Sequence, residues 1–394
     1  MKKIFLTTIA LLSIVSASVF GMYGANSGWI NFLTHGNQFR ARMEQLGFTL
    51  GNDTIKGTFG FFNDGRGTAY GSMLSLSSNA SVYYDFTPTI SMGLAYTSSL
   101  ISVGVGYNAT IGSTKLTKFN GKTEGKKTEA VAHTPVLVLN AMDNAFRMAI
   151  PIQVVNLADK KANGDKGSVT AVSLDAQFRY YTGLDFLPQI RLYLRYGNYG
   201  YEKTTEGTKD KGTFAETFGF DFRLYFGAMV EEVALQPYIK LAYNGALGKQ
   251  HSKRSVTAID ALNDSANQLV SSFTNPDSGT EPTTTYGGNA AWKKSAWDLT
   301  LAPTLGLTAN SDVVSLYFEP SLGLQIIQPG SATDDKVKEI YSLAWGAYAE
   351  IYITPLKNLE WYFEANVNNN AANGAITPVK FAASTGITWY LPAL

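Results

Sequence analysis

The stretch that decides the fold is residues 217–226, which read Thr217-Phe218-Gly219-Phe220-Asp221-Phe222-Arg223-Leu224-Tyr225-Phe226. Every even-numbered position after Thr217 is apolar, whereas the odd-numbered positions carry glycine, charged or polar side chains. A period of two is typical of a β-strand, because successive side chains point to opposite faces of the sheet. A soluble sandwich would bury the apolar face on a second sheet, whereas a membrane barrel would turn it to lipid.

The same alternation recurs along most of the chain. From residue 54 onward it predicts about fourteen strands, or sixteen if the N-terminal segment adds a pair. The early strands are predicted as residues 54–62, then one long strand over 69–86. The chain then turns at 87–89 and returns as a strand over 90–111, which has a β-bulge near 97–100.

The predicted connections alternate in length along the chain. The short ones are 87–89, 141–144, 182–188, 229–232, 308–311 and 355–358. The long ones are 112–130, 156–168, 200–212, 244–294, 328–336 and 368–377. Outer-membrane barrels have short periplasmic turns and long external loops, and closure removes exposed strand edges. We therefore predict an all-β fold, a transmembrane antiparallel β-barrel.

Composition agrees with this prediction and excludes several function classes. Charged residues make up 16% of the 394 residues, below the roughly 25% of ordinary soluble domains. The net charge of +1 provides no electrostatic basis for binding nucleic acid. Cysteine is absent, which excludes disulfides, thiolate metal sites and cysteine nucleophiles.

The N-terminus has the features of a secretory signal over residues 1–21. Lys2 and Lys3 precede an apolar run over 4–15, and cleavage is expected near Met22. No later stretch has the roughly 18 uncharged apolar residues of a membrane helix. We therefore predict an exported chain with an N-terminal segment over 22–50 and a barrel over 51–394, which carries a long surface loop at 244–294.

The N-terminal segment allows two interpretations. An amphipathic helix over 27–46 would form a plug. Alternatively, residues 29–34 and 38–50 would form a strand pair that turns at 35–37. Within the long loop, the apolar spacing over 257–272 predicts a short helix.

The charged residues on the predicted inner face fall into two groups. The basic group is Arg147, Arg179, Arg191, Arg195, Arg223 and Lys240, and the acidic group is Glu319, Glu350, Glu360 and Glu364. We expect the two groups to line different walls of the lumen, as in a water-filled pore. The alternative is a plugged lumen in which charges pair, for example with Asp175 and Asp221.

No pattern in the sequence predicts catalysis or a bound metal. His35, His133 and His251 lie in distant segments without ligand spacing, so we expect no enzyme activity, no metal site and no cofactor. An outer-membrane hydrolase would need a histidine beside a serine or aspartate at the outer rim. One predicted loop is rich in lysine and is either solvated or in contact with anionic glycolipid; its lysines are Lys115, Lys118, Lys122, Lys126 and Lys127.

Both ends of the chain resemble a known family. The start reads WINFLTHGNQFRARM over 29–43, QLGF over 45–48 and GNDTIKG over 51–57, and the end reads GITWYLPAL over 386–394. These stretches resemble the variable surface proteins, the Serpulina-type VSP family, of intestinal spirochaetes. The resemblance implies an abundant, antigenically variable protein of the outer membrane, and it implies no catalytic residue.

The C-terminus also resembles the assembly signal of outer-membrane barrels. The matching residues are Ser384, Gly386, Trp389 and Leu391, although the chain ends in Pro392-Ala393-Leu394 rather than an aromatic residue. The predicted partners are therefore outer-membrane lipid and the barrel-assembly machinery, with no nucleic acid. Host molecules or antibodies would meet the surface loops, and the oligomeric state stays open.

The predicted function is that of a surface-exposed outer-membrane antigen with passive pore activity. Two other functions stay open besides the hydrolase. A transporter of hydrophobic substrates would use the N-terminal segment as an ordered plug, and an adhesin would act through the long loops.

Overall fold

The computed structural model of the chain describes most of the predicted barrel. The described residues are 23, 28–42, 45–63, 88–116, 126–160, 166–205, 207–230, 233–247, 293–328, 331, 334–369 and 379–394. The signal segment, the predicted strand over 69–86, the predicted helix over 257–272 and His251 therefore lie outside the described residues. Within the described part, no helix is long and apolar enough to cross a membrane.

One 3-10 helix, η1 (Trp29–Thr34), precedes the strands. The first eight strands are β1 (Gln38–Arg42), β2 (Gln45–Gly51), β3 (Ile55–Asn63), β4 (Pro88–Tyr96), β5 (Ile101–Leu116), β6 (Lys126–Ala141), β7 (Phe146–Lys160) and β8 (Lys166–Tyr181). The others are β9 (Gln189–Thr205), β10 (Thr208–Tyr225), β11 (Ala228–Val230), β12 (Val233–Ala246), β13 (Trp297–Asn310), β14 (Val314–Gln328), β15 (Ile340–Leu356), β16 (Leu359–Asn369) and β17 (Val379–Tyr390).

The strands form one closed antiparallel sheet. Consecutive strands pair with each other, except that β10 pairs with β12 rather than with β11, and β17 pairs back with β1, where Phe39 lies opposite Trp389. The short strand β11 continues the line of β10, because both pair with β12. The seventeen strands therefore make a sixteen-stranded barrel, as predicted for the case in which the N-terminal segment adds a strand pair.

The two faces of the barrel differ in chemistry as the alternation predicts. In β5, Val103 and Val105 are exposed on the outside, whereas Gly104 and Asn108 are buried on the inside. In β10, Phe218 is exposed and Asp221 is buried. Exposed apolar side chains continue around the whole sheet, including Leu94, Leu137, Leu322, Leu343, Trp361 and Ile387. An apolar outer surface on a closed barrel is the arrangement that lipid requires.

The two ends of the barrel differ in the length of their connections. At one end, here called the short-turn end, the connections are 52–54, 97–100, 142–145, 182–188, 231–232, 311–313 and 357–358. At the other, the long-loop end, they are 43–44, 64–87, 117–125, 161–165, 206–207, 247–296, 329–339 and 370–378. The sorting by length follows the prediction, with two exceptions at the long-loop end. Residues 200–212 were predicted as a loop, whereas residues 200–205 belong to β9 and residues 208–212 belong to β10.

The predicted strands around Pro88 are wrong in their boundaries. Pro88 and Thr89 begin β4 instead of forming a turn, and β4 pairs directly with β3, where Asn63 lies opposite Pro88. The bulge predicted near 97–100 is a hairpin turn that separates β4 from β5. A hairpin turn and a bulge both interrupt the alternation, so the sequence pattern did not distinguish them.

Both interpretations of the N-terminal segment are partly right. Residues 29–34 are helical, but as a single short 3-10 helix rather than a helix over 27–46. A strand pair does form, but it consists of β1 and β2, and its connection is 43–44 rather than 35–37. Strands β1 and β2 belong to the barrel wall, whereas η1 lies inside the barrel.

Candidate functional site

The N-terminal helix η1 and the residues around it form a plug inside the barrel, defined here as Tyr23 and residues 28–35. The side chains of Trp29, Ile30 and Phe32 are fully buried. They share one apolar cluster with small wall residues, which include Val138 of β6 and Ala149 of β7. The plug therefore has a packed apolar contact with the wall formed by β4 to β7.

Two wall glycines provide the space that Trp29 occupies. Gly93 and Gly106 lie opposite each other on β4 and β5. A Cβ atom at Gly93 would lie 2.7 Å from Cζ3 of Trp29, which is closer than real Cβ contacts. Because glycine has no side chain, these two positions let the indole approach the backbone. The wall is thus shaped for this plug.

Polar contacts hold the plug at both edges of this apolar wall. Nη1 of Arg147 and Nη1 of Arg179 donate to Oδ1 of Asn31 at 3.4 and 3.0 Å. Nζ of Lys56 donates to the backbone oxygens of Leu33 and His35 at 2.9 and 2.7 Å. Cations near carbonyls at the C-terminal end of a helical turn are favourable. The plug is therefore bound by β3 through Lys56 and by β7 and β8 through the two arginines.

His35 follows the plug helix and contacts its first described residue. The hydroxyl of Tyr23 and Nδ1 of His35 form a hydrogen bond of 2.5 Å, and the two rings stack. Burial, together with the positive charges of Arg40, Lys56, Arg147 and Arg179, holds the pKa of His35 well below its usual value. A neutral imidazole has one donor and one acceptor nitrogen, and Nδ1 can bond to the Tyr23 hydroxyl in either role.

The predicted basic residues of the middle third form a row across the inner face. Cross-strand pairing places Arg147 opposite Arg179, Arg179 opposite Arg191, Arg191 opposite Arg223, and Arg223 opposite Lys240. We call these five residues the basic row. Like charges directly opposite each other on a sheet are unfavourable, so the row depends on other partners.

Only one end of the basic row is neutralised by a carboxylate that the structure describes. Asp221 accepts from Arg223 at 2.8 Å and lies 3.5 Å from Lys240. Arg195, which lies outside the row, pairs with Asp175 at 3.3 Å. Tyrosine rings support the row, since the guanidinium of Arg147 lies over Tyr181, that of Arg191 over Tyr225 and that of Arg223 over Tyr193 and Tyr238.

The predicted acidic residues form a second group that is bound mainly by hydroxyls. Glu319 accepts from Tyr238 at 2.9 Å and from Tyr317. Glu350 accepts from Tyr348 and Tyr352, and Glu360 accepts from Tyr390 at 3.1 Å. Glu364 pairs with Arg42 at 3.0 Å in a buried ion pair. Tyrosine hydroxyls and Arg42 therefore provide the contacts described here for the carboxylates of the acidic group.

The sequence predicted that the basic and acidic groups line different walls of the lumen. In the structure, the basic row and the acidic group instead lie close together along the sheet. Only β13 separates the basic row, which ends on β12, from Glu319 on β14. The lumen also contains two inward arginines of β1, Arg40 and Arg42, which were not among the predicted lumen-lining residues. Their alternation with Phe39 and Ala41 would have revealed them as inward residues.

The residues of the predicted assembly signal lie in the strand that closes the barrel or just after it. Ser384 donates to Glu364 at 2.9 Å, and Trp389 is half exposed on the outer face. Gly386 faces the lumen, where a Cβ atom would lie 2.3 Å from the Tyr362 hydroxyl. Leu391 follows β17 and donates its backbone N–H to Asn37 at 3.2 Å.

The remaining candidate residues are the histidines and the lysine-rich loop, and the structure describes only some of them. His133 lies on the outer face, where it contacts the hydroxyl of Tyr107. Among the described residues, no group of three His, Asp or Glu side chains could hold a metal ion. Of the predicted lysine-rich loop, Lys115 belongs to β5 and Lys126 and Lys127 belong to β6, whereas Lys118 and Lys122 lie outside the described residues.

A closed antiparallel barrel with an apolar outer surface and a charged, plugged interior defines a transmembrane β-barrel of the outer-membrane class. The chain belongs to the family described as Serpulina hyodysenteriae variable surface protein, whose model matches residues 2–390. This confirms the resemblance seen at both ends of the sequence. No curated protein matches the chain.

Several solved structures are similar at low sequence identity. The copper transporter OprC has a TM-score of 0.42 and 10% identity, with coverage of 84% of this chain and 56% of OprC. CdiB from Acinetobacter baumannii has a TM-score of 0.42 and 9% identity, with coverage of 90% and 59%. The translocator domain of the autotransporter NalP from Neisseria meningitidis has a TM-score of 0.31 and 12% identity, with coverage of 75% and 90%. This chain thus spans little more than half the length of OprC.

Proposed function

We propose that this protein is exposed at the cell surface and acts there as a variable surface antigen through its long-loop end. The observation that carries the proposal is the sorting of connections by length. The largest connections, 64–87 and 247–296, both leave the barrel at the same end. In outer-membrane barrels the end with long loops faces outward.

The length of the central strands supports the same orientation. Strands β9 and β10 have 17 and 18 residues, whereas a membrane-spanning strand needs about 9–11. The turn between β10 and β12 is short, so the extra residues extend at the long-loop end. Hairpins that extend beyond the membrane would present regular backbone as well as loops to antibodies or host molecules.

The test is accessibility on intact cells. Protease added outside should cut within 247–296 and spare 182–188, and antibodies raised against 247–296 should bind intact cells. The opposite pattern, with cleavage only in the short turns, would overturn the orientation and with it the antigen proposal. Cells permeabilised at the outer membrane serve as the control, because both segments should then be accessible.

A passive pore that the plug obstructs is the second function we propose, and the plug contacts favour it. The plug is fitted to the wall by Trp29 and held by Arg147, Arg179 and Lys56, yet it is a single short helix in a sixteen-stranded barrel. Displacement of the plug would open a lumen lined with charge. Bilayer conductance of the purified full-length protein tests this function, and a folded barrel that never conducts, with or without the plug, would contradict it.

A further inference from the structure

Three arginines of the basic row have no carboxylate partner among the residues that the structure describes. These are Arg147, Arg179 and Arg191, all of which are at least nine-tenths buried. Their protein partners are neutral: Asn31, Thr34 and the Asn144 backbone for Arg147, Asn31 for Arg179, and Gln189 for Arg191. Buried positive charge without a counter-charge is costly, so an anion bound among these arginines would stabilise this part of the lumen.

Three buried donor groups in the same place have no protein acceptor in the described part of the chain. They are Nε of Arg179, Nδ2 of Asn31 and Nε2 of Gln189, on side chains that are 3%, 1% and 3% exposed. The amide orientations are fixed, because Oδ1 of Asn31 and Oε1 of Gln189 already accept from arginines. These three groups are donors, whereas two further groups nearby are also buried without a partner in the described part of the chain: the Tyr181 hydroxyl, opposite Gln189, and Oδ1 of Asn140, opposite Arg147. The hydroxyl can donate as well as accept, and the Asn140 oxygen can only accept.

The barrel register brings these groups together near the short-turn end. Arg179 lies opposite both Arg147 and Arg191, and Gln189 lies opposite Tyr181 one inward position away. Asn31 of the plug connects the first two arginines. The site therefore combines residues of β7, β8, β9 and the plug. Because these residues are far apart in the sequence, the sequence pattern of one strand does not predict the site.

We propose that Arg147, Arg179, Arg191, Gln189 and Asn31 form a binding site for a small oxyanion, namely a carboxylate, sulfate or phosphate group. Guanidinium groups donate paired, planar hydrogen bonds that match such oxygens, and the amide donors complete the set. The site goes beyond the proposed surface and pore functions, since it requires neither antibody binding nor ion flow. It would tie the plug to the wall through a bound anion.

The first experiment measures binding of inorganic phosphate to the full-length barrel in detergent. Isothermal titration calorimetry and thermal unfolding are compared with sodium chloride at equal ionic strength. Phosphate should bind and raise the unfolding temperature, because a ligand that binds only the folded state stabilises it. Arg179→Gln should weaken binding about tenfold or more, since it removes the central charged donor. Arg195→Gln should leave binding unchanged, because Arg195 is paired with Asp175 outside the site.

A second variant keeps the proposal testable if Arg179→Gln fails to fold. Asn31→Asp replaces one amide by a carboxylate of the same shape and supplies the counter-charge from the protein itself. This variant should fold and should lose the response to phosphate. Wild-type protein that shows no more response to phosphate than to chloride would overturn the proposal, as would an Asn31→Asp variant that binds phosphate like the wild type.

Discussion

Trp29 lies so close to Gly106 that a Cβ atom at position 106 would be 2.3 Å from Cη2 of the indole. No side chain larger than hydrogen fits at Gly106 while the plug keeps its position. The contact joins the N-terminal segment to the middle of β5, and together with Gly93 it makes the position of the plug depend on two wall glycines.

The first prediction follows from that contact. Gly106→Val should displace the plug while the barrel still forms, because valine is favourable in strands and faces the lumen. We expect higher conductance in planar bilayers and protease cleavage near the N-terminus. Gly57→Val, on the outer face, is the control for replacing a strand glycine by valine, since a Cβ atom there has only the Gly93 backbone oxygen nearby, at 3.9 Å. Equal conductance in the two variants would show that the plug does not obstruct the lumen.

The second prediction concerns acid pH and His35. The pKa of His35 is lowered in the folded protein, so the unfolded chain binds the proton more tightly. The stabilising effect of neutral His35 is complete above about pH 6.5 and is lost as pH falls toward the lower folded pKa. Protease access to the plug should therefore increase below about pH 6.5. The variant His35→Gln should show a flatter pH dependence, and an unchanged curve would contradict the role of His35.

The third prediction concerns the buried ion pair between β1 and β16. Arg42 and Glu364 are 3.0 Å apart with side chains 1% and 7% exposed. Arg42→Gln leaves Glu364 without its counter-charge and should lower the free energy of unfolding by about 3–5 kcal/mol. Urea unfolding of the detergent-folded barrel measures this change. Lys209→Gln, which removes the exposed pair with Glu202, should have little effect. Similar losses in both variants would contradict the argument.

The fourth prediction distinguishes the two faces of the wall. Phe222→Arg places a charge on the lipid face and should destabilise the barrel by about 2–4 kcal/mol. Thr300→Arg adds the same charge at nearly the same height but on the lumen face, because Thr300 and Asp221 both lie opposite Ala242. Folding into lipid vesicles, followed by the gel mobility of the folded form, should separate the two variants. Equal folding would mean that Phe222 does not face lipid.

Much of the fold was predictable from the sequence because the relevant signals are local. The alternation in residues 217–226 predicts a strand with one apolar face, and the same period assigns Arg223 and Glu350 to the inner face without any knowledge of their neighbours. The lengths of the connections are also a local property, so the sequence alone distinguished the short-turn end of the barrel from the long-loop end. The strand boundaries near Pro88 were not predictable from the sequence, since a turn and a bulge interrupt the alternation in the same way.

Only the tertiary structure decided which inward residues meet. The period of two places Arg147, Arg179 and Arg191 inside, but their alignment in one row depends on the register of two strand pairs, β7 with β8 and β8 with β9, which is a long-range property. The position of Trp29 against Gly106 is equally non-local, because it joins segments whose separate sequences show only an aromatic residue and a strand glycine. The sequence thus determined the barrel and its faces, whereas closure and register determined the plug, the basic row and the proposed anion site.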